Sequence, residues 1–439
     1  SETPKPFTVP AVDPRFTTLP KQVDRSTGVP QTRTFPDLKF PELRRATLKN
    51  GTQVILAERH DIPVVQFSYE FPGGFTADQG RKSGTANFTM GLLTEGAGKL
   101  GALPFADAAD ALGAKLDASA SLDSTSVYLS ALKENLAPSL ALYADMLRQP
   151  RFDQTEIDRV KATWIAGIQQ EKVNPSAVAM RVMPTLLYGA GHPYAIPFTG
   201  SGNEVDIQSM TREDLVDFHR DWLRPEQGTL IVVGDTTLKE IVPLLERQLG
   251  NWKAEGPAPQ VKGPVDVARP AHARVYLIDQ PGAVQANLFA SQVVPSSKDP
   301  GSTRFDIANG VLGGDFTSRL NMNLREQKHW SYGAGSSASN TLGQRPWGAR
   351  APVQIDKTAE AMQEMQKEIA EFASGAKPAT PAEVARIRNI QNLSLPGAYE
   401  TASAVMGTIS GIVRYQRPDD YVVQRKAEIE AMTPAQVQQ

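Results

Sequence analysis

At 439 residues the chain exceeds the roughly 250–300 at which one hydrophobic core stops growing, so at least two domains are expected. A formal charge of -2 gives no electrostatic reason to expect nucleic acid or an anionic surface as partner, and no apolar run approaches the roughly 18–20 residues that span a bilayer. The absence of cysteine excludes disulfides, thiolate metal sites and cysteine nucleophiles.

The chain opens at Ser1 on a proline-rich polar stretch with no apolar period, which predicts an extended arm over residues 1–37. Such a start, without methionine, is what an exported protein shows after signal removal, and a periplasmic or secreted location is expected ahead of a cytoplasmic one. A first domain is expected over 38–253. "RRATLKNGTQVILAERH" reads as two strands about the Asn50-Gly51 turn, and "VVQFSYEFPGG" alternates as a third. Helices are predicted over 83–93 and 104–112, two strands in "KLDASASLDSTSVYLSAL", and amphipathic helices in "ENLAPSLALYADMLRQP" and "QTEIDRVKATWIAGIQQEK". "TREDLVDFHRDWL", the strand "GTLIVVGD" and a helix over 237–249 close this half. Residues 254–272, rich in proline and without periodicity, read as a linker.

Over 273–439 the same order returns as a second domain: strands "ARVYLID" and "QANLFASQVV", helices near 303–312 and 317–326, two strands, and a long amphipathic helix. The segment "LKENLAPSLALYADMLRQPRFDQTEIDRVKA" echoes "IDKTAEAMQEMQKEIAEFASGAKPATPAEVARIRN", which predicts an internal duplication of whole domains. The fold class is therefore α+β, with two homologous domains, each a largely antiparallel sheet with helices packed on one face. The repeat stops early: the second half ends at "MTPAQVQQ", where the first half goes on to a strand and a helix. A shortened C-terminus is expected, with one sheet edge open or covered by another segment.

Three stretches, "GTANFTMGLLTEG", "GHPYAIPFTGS" and "LREQKHWSY", in this order of elements, resemble the inverted-zincin peptidases, the pitrilysin and mitochondrial-processing-peptidase family, from Pro41 onward. Active members carry H-x-x-E-H on the first helix, where two histidines four apart hold zinc and the glutamate activates water. The family's G-x-A-H-x-x-E-H frame falls on Gly84 and Ala86 and then places Asn87, Met90 and Gly91 where His, Glu and His belong. None of the three can do the work: amide, thioether and bare backbone make neither a zinc site nor a general base. The five histidines offer no i,i+4 pair, and Glu171, nearest to the family's last ligand, reads by itself as a solvated helix residue.

The second half retains what the first has lost. "GGDFTSRLNMNLREQKHWSYGAGS" resembles the family's C-terminal signature, in which an arginine and a tyrosine seven residues apart face the zinc; here they are Arg325 and Tyr332. The resemblance implies that these two bind substrate carbonyls and stabilise the oxyanion, roles that suit a forked cation and a single directional donor. It implies a non-catalytic subunit, inactive alone and holding no cofactor, paired with a homologous H-x-x-E-H subunit that holds zinc and acts on peptides. The alternative is an inert scaffold or peptide-binding homologue. An independent hydrolase is disfavoured, because no G-x-S-x-G elbow or paired-carboxylate motif stands out. His192 reads as a satisfied loop residue, Gly313-Gly314 as a helix C-cap, and Met362 and Met365 as packing. Trp330 and Trp347 read as chamber lining or as sheet packing.

Overall fold

The computed structural model describes Asp13, Ser26, Gly28 and residues 35–260 and 263–439. Contacts divide the chain into Ser1–Asp37 and Leu38–Gln439. The expected arm lies largely outside the described residues, as do two residues of the expected linker, and the description below concerns the second unit.

The chain first forms β1 (Leu43–Thr47) and β2 (Gln53–Glu58), a hairpin whose turn puts Gly51 at φ 93, where glycine carries no Cβ penalty. Then come β3 (Val64–Pro72), α1 (Thr85–Leu92), the short pair β4 (Gly96–Ala97) and β5 (Leu100–Gly101), α2 (Ala102–Ala111), β6 (Lys115–Ala120) and β7 (Ser124–Leu132). Helices α3 (Leu136–Arg148), α4 (Gln154–Val173), α5 (Pro175–Tyr188), α6 (Glu204–Ser209) and α7 (Arg212–Trp222) follow, and β8 (Thr229–Gly234) and α8 (Leu238–Leu249) end the first half. Asn174 divides α4 from α5: its side chain accepts from the Ser176 and Ala177 amides, and Pro175 starts the new helix. Thr211 and Thr237 close capping boxes on α7 and α8.

These strands make one sheet in the order β1-β2-β8-β3-β7-β6, antiparallel except for the β2–β8 pair. Alternate residues of β3 and β7, among them Phe67, Val127 and Leu129, meet Phe88 and Met90 of α1, Tyr143 of α3 and Leu245 of α8 in the main core.

The second half contains β9 (Gln285–Val294), α9 (Ser302–Asn309), α10 (Arg319–Asn321), β10 (Gly335–Ala338) and β11 (Arg345–Gln354). After them run α11 (Thr358–Ala373), α12 (Pro381–Leu393), α13 (Leu395–Ala398), α14 (Ala402–Arg414), α15 (Tyr421–Ala431) and α16 (Pro434–Gln438). Its sheet is β10-β11-β9, antiparallel throughout, and Val353, Met365 and Ile387 belong to a second core beneath it.

The halves exchange helices. Val405, Met406 and Ile409 of α14 bury against Ile55, Ala57, Ile231 and Val233 on the face of the first sheet away from the main core. Each large aliphatic side chain so covered contributes about 1.5–3 kcal/mol. In return α5 lies against β9, where the Ser291 hydroxyl donates to the Met183 sulfur at 3.1 Å. Polar ties reinforce the junction: Tyr194 Oη donates to Asp123 Oδ1 at 2.7 Å, the Leu342 amide donates to Asp123 Oδ2 at 2.8 Å, and Arg414 pairs with Glu70 at 3.0 Å.

Two local expectations fail. "ARVYLID" forms no strand: residues 273–279 enter no ladder, and Val275, Tyr276, Leu277 and Ile278 are all exposed. Its counterpart β2 is held by β8, and the second half has no such strand among the described residues. Gly313 and Gly314 do not cap a helix; they close a π-helical turn, Gly310–Gly314, and a Cβ on Gly313 would strike Ser336 of β10. There glycine serves close approach rather than a left-handed turn.

Candidate functional site

Helix α1 starts on Gly84, at φ 94, and a buried carboxylate closes its first turn. Asp78 accepts from the Gly84 amide at 2.7 Å and the Ala86 amide at 2.8 Å. Burial pushes the Asp78 carboxyl up to about 7, against these bonds and Arg81, which pull it down. Gly84 is also required for space, because a Cβ there would lie 3.0 Å from the Ser201 carbonyl oxygen and 3.1 Å from Gly202.

The three positions of the lost motif have separate fates. Asn87 is half-buried, and Met90 is fully buried in the main core. Gly91 faces Trp164 of α4, whose ring would lie 3.6 Å from an added Cβ and which packs edge-on against Phe88 at 5.3 Å. The Trp164 Nε1–H donates to the Ser201 carbonyl at 2.9 Å.

Glu171 is not the solvated residue its sequence context suggests. It lies two turns beyond Trp164 on α4, accepts from the Ser201 hydroxyl at 2.8 Å and pairs with the Arg181 guanidinium at 2.6 Å. Arg181 also donates to the Gly202 carbonyl at 2.6 Å. A guanidinium therefore neutralises the carboxylate nearest to the family's last ligand. Zinc does not fit this arrangement: it offers amide, thioether and glycine on one helix and a carboxylate already committed to arginine. Among the described residues no group of three His, Asp or Glu side chains could hold a metal ion.

Arg325 and Tyr332 stand differently. Arg325 lies in a second π-helical turn, Met322–Gln327, with its guanidinium 4.6 Å from the centre of the Phe316 ring and 2.9 Å from Glu326. Two residues past that turn stands His329, a non-glycine residue at φ 58, whose amide and Nδ1 both approach the Arg325 carbonyl. The chain then passes Trp330, half-buried against the second core, to Tyr332, which is 91 % exposed. A π turn and a left-handed histidine both cost local energy and concentrate at working segments of proteins. No hydrogen bond or ion pair among the described residues joins Arg325 or Tyr332 to α1 or Glu171.

The remaining candidates have structural roles. His192 stacks on Tyr188, accepts from the Tyr194 amide at 2.9 Å and reaches the Val265 carbonyl at 2.9 Å. Trp347 is buried in the second core and donates to Asn309 at 2.8 Å; Met365 is buried there too, while Met362 is exposed. Sequence reasoning missed Asp78, Arg181, Phe316 and the His329 conformation. Of these only Arg181 left a signal, lying on the helix that follows Glu171.

Comparisons with known proteins address the family and the fold. The family described as "Insulinase (Peptidase family M16)" matches residues 53–191, and "Peptidase M16 inactive domain" matches residues 209–391. The chain is 23% identical over 331 residues to an uncharacterized zinc protease, YmxG, of Bacillus subtilis, covering 73% of this chain and 77% of that protein. It is 28% identical over 242 residues to a probable mitochondrial-processing peptidase subunit beta of Schizosaccharomyces pombe, covering 54% of this chain and 49% of that protein. Among solved structures, a peptidase M16 inactive domain from Pseudomonas fluorescens superposes with a TM-score of 0.80 at 22% identity over 90% of this chain and 93% of that one. A Helicobacter pylori protease gives 0.82 at 20% identity, over 91% and 95%. With two models of the same family matched in tandem over residues 53–191 and 209–391, the chain belongs to the M16 peptidase family.

Proposed function

We propose that this chain is the non-catalytic partner of a zinc endopeptidase and lends Arg325 and Tyr332 to the site of a homologous H-x-x-E-H subunit. The observation that carries the proposal is the contrast in exposure: Met90, at the central motif position of α1, is fully buried, while Tyr332 is 91 % exposed beyond a strained turn. Arg325, pre-oriented by Phe316, presents a planar fork to a peptide carbonyl. Tyr332 supplies one O–H donor to the oxygen that gains charge as the carbonyl becomes tetrahedral. Water activation and the zinc remain with the partner. The named relatives include proteins called subunits, the yeast processing-peptidase beta chain and a Caenorhabditis elegans cytochrome b-c1 complex subunit 1, which is consistent with a role in an assembly.

The test is reconstitution. This chain, mixed with an H-x-x-E-H homologue, should form a stable complex and raise that homologue's cleavage of an unstructured fluorogenic peptide while cleaving nothing alone. Equal activity of the homologue with and without this chain contradicts the proposal and favours the second reading, an inert scaffold or peptide binder, to which the cytochrome b-c1 relative lends support.

A further inference from the structure

The turn that carries Arg325 begins on a buried amide. Asn321, the last residue of α10 and only 4% exposed, stands immediately before the π-helical turn Met322–Gln327. Its Nδ2 donates to the Phe316 carbonyl at 2.6 Å, and its Oδ1 accepts from the Ala334 amide at 3.1 Å. A carbonyl only accepts and a backbone amide only donates, so this side chain has one orientation. Phe316 is the ring beneath the Arg325 guanidinium, and Ala334 lies two residues past Tyr332. One side chain thus joins the support of the cation to the loop of the phenol.

Other bonds hold each of these segments without linking the two. The Ser331 hydroxyl donates to the Pro352 carbonyl of β11 at 2.6 Å and accepts from the Gly333 amide at 3.1 Å, and the Gln354 amide donates to the Trp330 carbonyl at 3.0 Å. On the other side the Asp315 carboxylate accepts from the Thr317 amide at 2.9 Å. Among the described residues, Asn321 alone has hydrogen bonds to both segments, 315–317 and 330–334. Tyr332 is therefore an exposed side chain on a backbone held from both flanks.

We infer that Asn321 is a positioning residue, which sets the placement of the Arg325 guanidinium relative to the Tyr332 phenol so that both can bond one extended peptide. The inference rests on the role proposed above for that pair. Asn321 is buried and acts only through the backbone it holds. Its Nδ2 arm governs the anchoring cation and its Oδ1 arm the oxyanion donor, and misplacing a reacting group by about 1 Å costs on the order of 10²-fold in rate.

The experiment is a double-substitution cycle in the complex reconstituted with an H-x-x-E-H homologue, with assembly checked by mass in solution and a fluorogenic peptide as substrate. Asn321→Ala removes both bonds. It should lower kcat about tenfold or more, but only about threefold or less in a chain already carrying Tyr332→Phe, because a phenol that is gone needs no placement. Asn321→Asp has the same shape, keeps the acceptor for Ala334 and loses the donor for Phe316; it should raise KM and leave kcat within about threefold. Should Asn321→Ala not assemble, this second variant decides alone. Equal loss of kcat in both backgrounds, or a kcat loss without a KM change in Asn321→Asp, marks a merely structural amide and overturns the inference. Tyr332→Phe measured alongside separates the two claims: if it leaves kcat unchanged, the role of the pair fails and the inference with it, whereas if it lowers kcat while the cycle is additive, only the positioning role fails.

Discussion

Met90 in the first half is fully buried, and Tyr332 in the second is 91 % exposed. Met90 is enclosed by the main core, Trp164 touches position 91, the loop through Ser201 and Gly202 lies against Gly84, and Arg181 pairs with Glu171. Around Tyr332 nothing has been filled, and a costly backbone persists at His329. Among the described residues the first half holds a six-stranded sheet with a doubly buried β8, and the second a three-stranded one. The two candidate positions thus differ in exposure: Met90 lies within the core of the first half, and Tyr332 stands at the surface of the second.

The comparison breaks most sharply at Met90. Replacing it by glutamate places an unpaired carboxylate in the main core and should cost about 3–5 kcal/mol by urea unfolding. Restoring all three motif residues should still give no stoichiometric zinc by metal analysis, because Arg181 holds the Glu171 carboxylate. Zinc bound by that triple variant alone would mean the first site is open.

A smaller effect tests the junction. Arg414→Ala leaves the Glu70 carboxylate, which also accepts from Ser410, without its cation, and should cost about 2–3 kcal/mol. Glu70→Gln in the same chain should recover part of this, since the orphaned charge is then gone.

Asp78 gives a pH signature confined to the first half. Its folded pKa, about 7, lies above the ordinary 3.8, so the folded state binds the extra proton between these values. The contribution is fully present below about pH 4 and is lost as pH rises through about 7, with a slope of at most about 1.4 kcal/mol per pH unit. Asp78→Asn should lower stability by an amount that shrinks across this interval, read from unfolding at several pH values. A constant difference would mean that Asp78 is ionised throughout.

The smallest effects belong to the second site. Tyr332→Phe should leave stability within about 0.5 kcal/mol, and Arg325→Ala within about 1 kcal/mol, because an exposed phenol and a surface cation on an exposed ring contribute little to folding.

Local signals made much of this fold legible. The Asn50-Gly51 turn, the alternation of β3 and the amphipathic patterns of α3 and α4 each act over a few residues, and each element formed where those residues place it. "ARVYLID" has strand composition and no strand, because a ladder needs a neighbour that local sequence does not report. The same limit hid Glu171, whose partners Arg181 and Ser201 come from a following helix and a loop. The loss at Asn87, Met90 and Gly91 was readable from residue chemistry, but the contact of Trp164 with position 91 was visible only in three dimensions.

The central claim is that Tyr332 works in a site that belongs to another chain. The direct measurement is kcat of the reconstituted complex carrying Tyr332→Phe, with complex formation verified by mass in solution. Loss of one oxyanion donor should lower kcat about 10²–10³-fold, roughly 2.7–4 kcal/mol, with little change in KM. A kcat within about twofold of the unmodified complex would contradict the claim and leave the exposed tyrosine outside the chemistry.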